Sequence, residues 1–434
     1  MQKRPFGFNV IAHINGSGGL AVVAQNAVRQ ITNKGYPVAV CDIDRVPGYA
    51  IGDTTSLPYA VNLSILSITA LPSLILDNPG LINRETLNVG YFWWELGVLP
   101  DIWKRSLEVF DVLVAGSHFI KATMDSNLNR TLTVLALPSV QLPAEIDSTR
   151  ARFMLPTDAV IFICIVEPTS DPLRKNPFAA IEAFRRAFDD DHRAHLVVKI
   201  NSARLNEGSA SLHEEIRQAC AGCTRIHMME ANLRYADVLG LYAACDVFVS
   251  LHRAEGLGLG LLEAMALGKP VVATAWSGNT MFMNHTNSCL VPYRLIDAAG
   301  SLSVYTREFL RAPAVWADPD VDQAAVWMRK LFDNPDLRAA IGRKAAADMA
   351  VLQSQAESGQ YIDELYSIWE HFGTGAWAGQ TDDQLRRLHD LDLEIRSSTS
   401  RLSMTSRLSM TSRLAIHKMQ ELLDRHVLWR FRSS

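Results

Sequence analysis

From Asp246 to Ala275 the chain reads DVFVSLHRAEGLGLGLLEAMALGKPVVATA, a strand, a glycine-rich turn, a short helix and a second strand in one stretch. Strand, helix, strand in this rhythm argues a parallel sheet of doubly wound type. Gly256, Gly258 and Gly260 leave backbone N–H groups uncovered, and a helix opening there directs its positive end at an anion. Leu261, Leu262, Met265 and Ala266 supply the apolar helix face, Gly268 ends it, Pro270 prevents its continuing, and VVATA follows as a buried parallel strand. Two acids lie in this frame, Glu255 on the turn and Glu263 within the helix. Carboxylates beside a phosphate-sized nest suit a ligand that carries both phosphate and hydroxyls, as a nucleotide sugar does.

The same rhythm recurs along the chain. FGFNVIAHI is a strand, GSGGLAVVAQNAVRQITNKG a glycine turn and helix ending at Gly35, and YPVAVCDID the next strand. LNVGYFWWEL and FDVLVAGS are further buried strands, the latter followed by the helical HFIKATMDSNL. PSVQLPAEIDSTRARFMLP reads as a linker. A second series then runs VIFICIVE, NPFAAIEAFRRAF, HLVVKI and ADVLGLYAACDVFVSL, with terminal helices over 320–371. The expected fold is α/β, with two Rossmann-like domains facing across a cleft and ligands at the carboxyl ends of the strands. The expected boundaries are 1–145, 146–378 with terminal crossing helices, and a tail over 379–434.

The tail differs in character. RLSMTSRLSMTSRL repeats every six residues, and six residues turn a helix by about 600°, so Leu402, Leu408 and Leu414 cannot share one helical face. It reads as a low-complexity spacer. AIHKMQELLDRHVLWRFRSS reads as an amphipathic helix suited to an anionic membrane surface or a protein partner.

A net charge of −4 over 434 residues gives no reason to expect nucleic acid as a partner. The amino-terminal segment lacks the unbroken apolar run of a signal peptide, and LSILSITALPSLIL is interrupted by serines and Pro72. Six scattered cysteines fit reduced thiols, so the chain is expected to be cytoplasmic, or peripheral at the inner face of the cell membrane. Cys220, Cys223 and His227 lack the fourth ligand of a zinc site and are read as a helix end and strand. Asp42 and Asp44 lack acidic companions, so neither a metal nor a cofactor is expected.

CDVFVSLHRAEGLGLGLLEAMALGKPVVATAWSGN resembles retaining glycosyltransferases of family 4, which have the GT-B fold. GYFWWELGVLP, LRKNPFAAIEAFRRAF and WADPD support it, and SLHRAEG with RKNP is similar to bacterial hexosyl and mannosyl transferases that build surface polysaccharides. The resemblance implies a nucleotide-sugar donor and a saccharide or lipid-linked saccharide acceptor. It places Glu255 on donor-sugar hydroxyls, Glu263 on the ribose, and Lys175 with Arg174 on the departing diphosphate. His252, Gly256, Leu257, Gly258 and Leu259 would line the donor pocket, with Gly18 and Gly19 of the GSGG loop approaching the phosphates. Where many relatives have a basic GR pair, VEPTSDPLRKN offers Glu167 and no basic residue before Arg174. Trp94, Glu95 and His118 are candidates for the acceptor side. The alternatives are a nucleotide-sugar epimerase or a phosphorylase on the same fold, and a non-catalytic nucleotide-sugar-binding subunit of a polymer-assembly complex.

Overall fold

The computed structural model describes residues 4–15, 19–43, 57–68, 71, 74–75, 81–82, 85–129, 132–167, 171–188, 191–201, 207–298 and 313–372. Gly18, Asp44 and the tail over 379–434 lie outside them. The described residues divide into two compact units, one within 1–137, 303–314 and 357–434, the other within 138–302 and 315–356.

In the first unit the elements are β1 (Phe8–Ala12), α1 (Gly19–Asn33), β2 (Val38–Asp42), β3 (Val61–Ile65), β4 (Leu87–Tyr91), α2 (Asp101–Leu107), β5 (Val112–Ala115), α3 (His118–Asn127) and β6 (Leu132–Leu135). The six strands form one parallel sheet in the order β2-β1-β3-β4-β5-β6. Strands β1, β3, β4 and β5 are buried at every residue, as expected of a parallel sheet covered on both faces. Asn9, Asn62 and Asn88 stand opposite one another across β1, β3 and β4, all buried. Asn9 donates to Asn62 Oδ1 at 2.8 Å, and Asn88 donates through its backbone N–H to Asp111 at 2.7 Å. One polar rung in an apolar sheet penalises any slip of register, because a one-residue shift would strand these amides.

In the second unit the elements are β7 (Val160–Val166), α4 (Pro172–Lys175), α5 (Pro177–Ala187), β8 (Ala194–Ile200), α6 (Glu207–Cys220), β9 (Ile226–Glu230), α7 (Tyr235–Ala244), β10 (Val247–Ser250), α8 (Leu259–Ala266), β11 (Val271–Thr274), β12 (Cys289–Val291), β13 (Tyr293–Asp297), β14 (Val315–Pro319), α9 (Val321–Asp333) and α10 (Pro335–Glu357). Six of these strands form a parallel sheet in the order β12-β11-β10-β7-β8-β9, and β13 pairs antiparallel with β14. The first strand, β7, lies between β8 and β10, so connections leave it in opposite directions. A crevice at the carboxyl ends of a doubly wound sheet belongs at such a switch point.

Residues 138–156, which the sequence reads as a linker, belong to the second unit: 138–140 are buried, most of 141–152 are exposed, and Arg150 ties the segment down. Arg150 donates to the Pro156 and Ala159 carbonyls at 3.0 and 2.8 Å and pairs with Asp246 at 2.7 Å. A last helix, α11 (Gln360–Phe372), belongs with the first unit, although the sequence boundaries grouped it with the second. Its Tyr361, Ile362 and Leu365 enter the core of the first sheet, and Tyr366 and Trp369 ring Phe6. Among the described residues no helix is long and apolar enough to cross a membrane.

Candidate functional site

The loops that leave β7 and β10 carry the charged residues singled out in the sequence. After β7, Asp171 accepts from the Leu173 and Arg174 N–H groups at 3.0 and 3.3 Å and starts α4. Asn176 ends α4 in a left-handed conformation at φ 54° and donates to the Leu251 carbonyl at 2.9 Å. Arg253 fixes the other end: its backbone N–H donates to the Arg174 carbonyl and its guanidinium to the Leu173 carbonyl, both at 2.8 Å. One turn of helix is marginal alone, so these caps hold α4 in place.

After β10, Glu255 is fixed through its own backbone. Its N–H donates to Ser277 Oγ at 2.8 Å, and its carbonyl accepts from the Gly278 N–H at 2.9 Å. A Cβ at Gly278 would lie 2.0 Å from the Gly256 carbonyl oxygen, so only glycine permits this approach. Gly258 takes φ +88° directly before α8, a left-handed conformation that favours glycine. The first turn of α8 therefore opens four residues after Glu255: the Leu261 and Leu262 N–H groups donate to the Gly258 carbonyl, and those of Leu259 and Gly260 have no partner within the helix.

Lys175 Nζ lies 2.5 Å from Glu255 Oε1, and Arg174 Nη1 lies 3.5 Å from Oε2. Arg174 is 1% exposed and donates to the Ala254 carbonyl at 2.6 Å, so it braces the loop that carries Glu255. Lys175 is the more accessible cation of the pair. Burial acts to raise the Glu255 pKa, but Lys175 and then Arg174 outweigh it and bring the carboxyl down to about 2. Glu255 is therefore ionised at neutral pH.

Glu263, also buried, has no such cations. Its Oε1 accepts from the Tyr235 hydroxyl at 2.8 Å, and burial pushes its carboxyl up to about 7 against the effect of that hydrogen bond. His252 is wholly buried, with its ring nitrogens at 3.1 Å from Ser250 Oγ and Asn279 Oδ1. Burial holds it below the usual imidazole range, and it ties the end of β10 to the 276–279 loop.

Gly256 and Leu257 are buried beside Glu255, and Leu259 is half-buried at the start of α8. Gly19 opens α1 in the first unit, while Gly18 lies outside the described residues. Of the acceptor-side candidates, Trp94 is buried and donates to the Val98 carbonyl at 2.7 Å, and His118 is an exposed first residue of α3. Glu167 accepts a hydrogen bond from Asn201, whose Oδ1 accepts from Lys199. Cys220 is buried at the end of α6, and His227 on β9 meets His195 at 2.8 Å. Among the described residues no three His, Cys, Asp or Glu side chains gather in a metal-holding group.

Sequence reading missed Asp171, Arg253, Ser277 and Tyr235. Arg253 stands inside the quoted SLHRAEG run and Asp171 precedes a proline, a weak capping signal. Nothing in the sequence points to Tyr235.

The two parallel six-stranded sheets give the α/β architecture of GT-B glycosyltransferase structures. A family model described as glycosyl transferases group 1 matches residues 171–302, the segment that holds α4, Glu255 and Glu263. D-inositol 3-phosphate glycosyltransferase of Corynebacterium jeikeium (strain K411) is 27% identical over 193 residues, 44% of this chain and 40% of that enzyme. The chain thus spans less than half the length of that relative in the match. Two solved structures share the fold. Sucrose-phosphate synthase from Thermosynechococcus elongatus has a TM-score of 0.60 at 16% identity, covering 84% of this chain and 100% of its own. HepE from Anabaena, in complex with UDP and glucose, has a TM-score of 0.59 at 14% identity, covering 83% and 100%.

Proposed function

We propose that this protein is a glycosyltransferase of the group 1 type that moves a hexose from a nucleotide diphosphate sugar to a saccharide acceptor. The observation that carries the reading is the Lys175–Glu255 pair at the switch point of the second sheet, next to the opening of α8. The ionised Glu255 accepts hydrogen bonds from the donor sugar's hydroxyls. Lys175 and the first N–H groups of α8 meet the charge that grows on the departing diphosphate, without calling on a metal. Arg174 keeps Glu255 in place, and Glu263 accepts from the ribose hydroxyls.

The anomeric configuration is retained, with acceptor attack on the face the diphosphate leaves and the donor phosphate taking the acceptor proton. Surface-polysaccharide assembly is the setting in which such a transfer fits, as the SLHRAEG and RKNP runs suggested. A UDP-sugar is the first donor to try, because a structure of like fold holds UDP and glucose.

The test incubates the protein with UDP-, GDP- and ADP-hexoses and a panel of saccharide acceptors. Release of nucleoside diphosphate that depends on the acceptor, and is lost in Glu255→Gln, supports the reading. Proton NMR of the product reports the anomeric configuration, and an inverted product overturns retention. Sugar interconversion without an acceptor indicates an epimerase, dependence on inorganic phosphate a phosphorylase, and binding without turnover a non-catalytic subunit.

A further inference from the structure

Glu263 is as deeply buried as Glu255 but faces a different set of neighbours. Its carboxylate accepts one hydrogen bond, from the Tyr235 hydroxyl at 2.8 Å, and among the described residues no cation pairs with it. Tyr235 and Tyr242 stand seven residues apart on α7, nearly two full turns, so both phenols project from one helix face. That face meets α8: a Cβ on Gly260 would lie 3.2 Å from the Tyr242 hydroxyl oxygen.

Burial and the Tyr235 hydroxyl are what act on this carboxyl, while Asp237, the charged residue of α7, is paired with Arg152 and Arg234. Burial pushes both phenols far up, with the charge of Glu263 acting in the same direction, and pushes the Cys164 thiol of β7 up to about 12. Strands β10 and β11, which also pack against α8, carry no titratable side chain. A carboxylate in such a place is costly unless something donates to it, and one phenol leaves most of its acceptor capacity unused.

We infer that Glu263 holds a proton in the empty site and releases it to solvent when a ligand's vicinal hydroxyls arrive, with Tyr235 as the positioning residue that sets the pH of the exchange. This rests on the reading of Glu263 as the ribose clamp. A diol donates two hydrogen bonds, which a carboxylate accepts and a carboxylic acid accepts poorly, so binding favours the ionised form. Burial has already brought the Glu263 carboxyl up to about 7, where the exchange falls near neutral pH. Donor binding and proton release are then linked, and acidification weakens the hold on the donor.

The experiment measures calorimetric affinity for UDP-glucose and GDP-mannose from roughly pH 5.5 to 8.5, in two buffers of different ionisation enthalpy. Nucleotide sugars are the probes because their diphosphate diester has no proton to exchange in this range. For the donor that binds, affinity should fall about tenfold per pH unit on the acid side, with a proton released on binding. Glu263→Gln should flatten the profile. Tyr235→Phe keeps the ring and removes a hydrogen bond that favours the ionised form, so its midpoint should move to higher pH.

A readout without ligand separates this inference from the functional reading. Carboxyl carbon-13 NMR of glutamate-labelled protein, assigned by Glu263→Gln, should show Glu263 titrating near neutral pH, and higher in Tyr235→Phe. A pH-independent affinity for a donor that does bind, or an unchanged NMR midpoint in Tyr235→Phe, overturns the inference. Titration near neutral with no nucleotide sugar bound at any pH overturns the ribose reading and leaves the proton-binding carboxyl standing.

Discussion

Lys175 and Glu255, eighty residues apart in the chain, bring an ammonium and a carboxylate to 2.5 Å. They meet because β7 and β10 are parallel neighbours, with Phe162 opposite Val247 and Ile163 opposite Phe248, so the loops leaving both strands emerge at the same end of the sheet. Glu263, only eight positions from Glu255, lies under a neutral phenol and has the opposite pKa shift.

Removing Lys175 should lower both turnover and stability. Lys175→Met takes away the accessible cation, and turnover should fall about a hundredfold, close to 3 kcal/mol in the transition state. It also leaves Glu255 with Arg174 alone, so the melting temperature should drop, and Lys175→Met with Glu255→Gln should recover part of that drop. Steady-state rates and thermal melts of the single and double variants check both halves. A double variant melting lower by the sum of the two single drops would show that the pair is not coupled.

The stability of Glu263→Gln relative to wild type should depend on pH. Glu263 has a folded pKa of about 7 against an ordinary 4.5, so between these values the folded state binds more protons than the unfolded one. Stability therefore falls as pH rises through this window, by about 3 kcal/mol in full. Glutamine carries no such penalty, so the variant should gain on wild type from pH 5 to pH 8, as read by urea denaturation. Glu255 has the reverse sign: its folded pKa of about 2 stabilises the protein above the ordinary carboxylate range, and this is lost progressively as pH falls from about 4.5 to about 2.

The caps on α4 should matter to catalysis out of proportion to stability. Asp171→Ala removes the side chain that accepts from Leu173 and Arg174 and should cost about 1 kcal/mol. Asp171→Asn should retain most of that. Arg253→Ala frees the carbonyl end of α4, and we expect a larger fall in turnover than in melting temperature, because Lys175 loses its fixed position. Equal activity in wild type and Arg253→Ala would show that α4 is held without it.

Two glycines should respond unequally. Gly278→Ala forces a Cβ onto the Gly256 carbonyl and should destabilise the second unit by several kcal/mol, whereas Gly97→Ala meets nothing within 4 Å and should be nearly silent. Circular dichroism melts of the two variants check the contrast.

The run from Asp246 to Ala275 declared its strand, turn, helix and strand because each rests on local chemistry: apolar continuity, glycine freedom, and a proline stop. The strands FNVIA, VLVA and VIFICIV were legible for the same reason. VNLSI and LTVL were not singled out, since one carries a buried asparagine and serine and the other starts with an exposed leucine. The place of α11 was hidden too, because its apolar face is the same whichever core it joins.

By itself, then, the sequence determined the parallel α/β character and the chemical types around Glu255 and Glu263, since turn geometry, helix length and residue charge are set within a few positions. Only the tertiary structure decided that Lys175 faces Glu255, that Arg174 and His252 are buried braces, and that Tyr235 caps Glu263. Those outcomes follow from strand order and burial. Both are sums over contacts between distant segments, and the same two glutamates take opposite electrostatic character according to which segments arrive beside them.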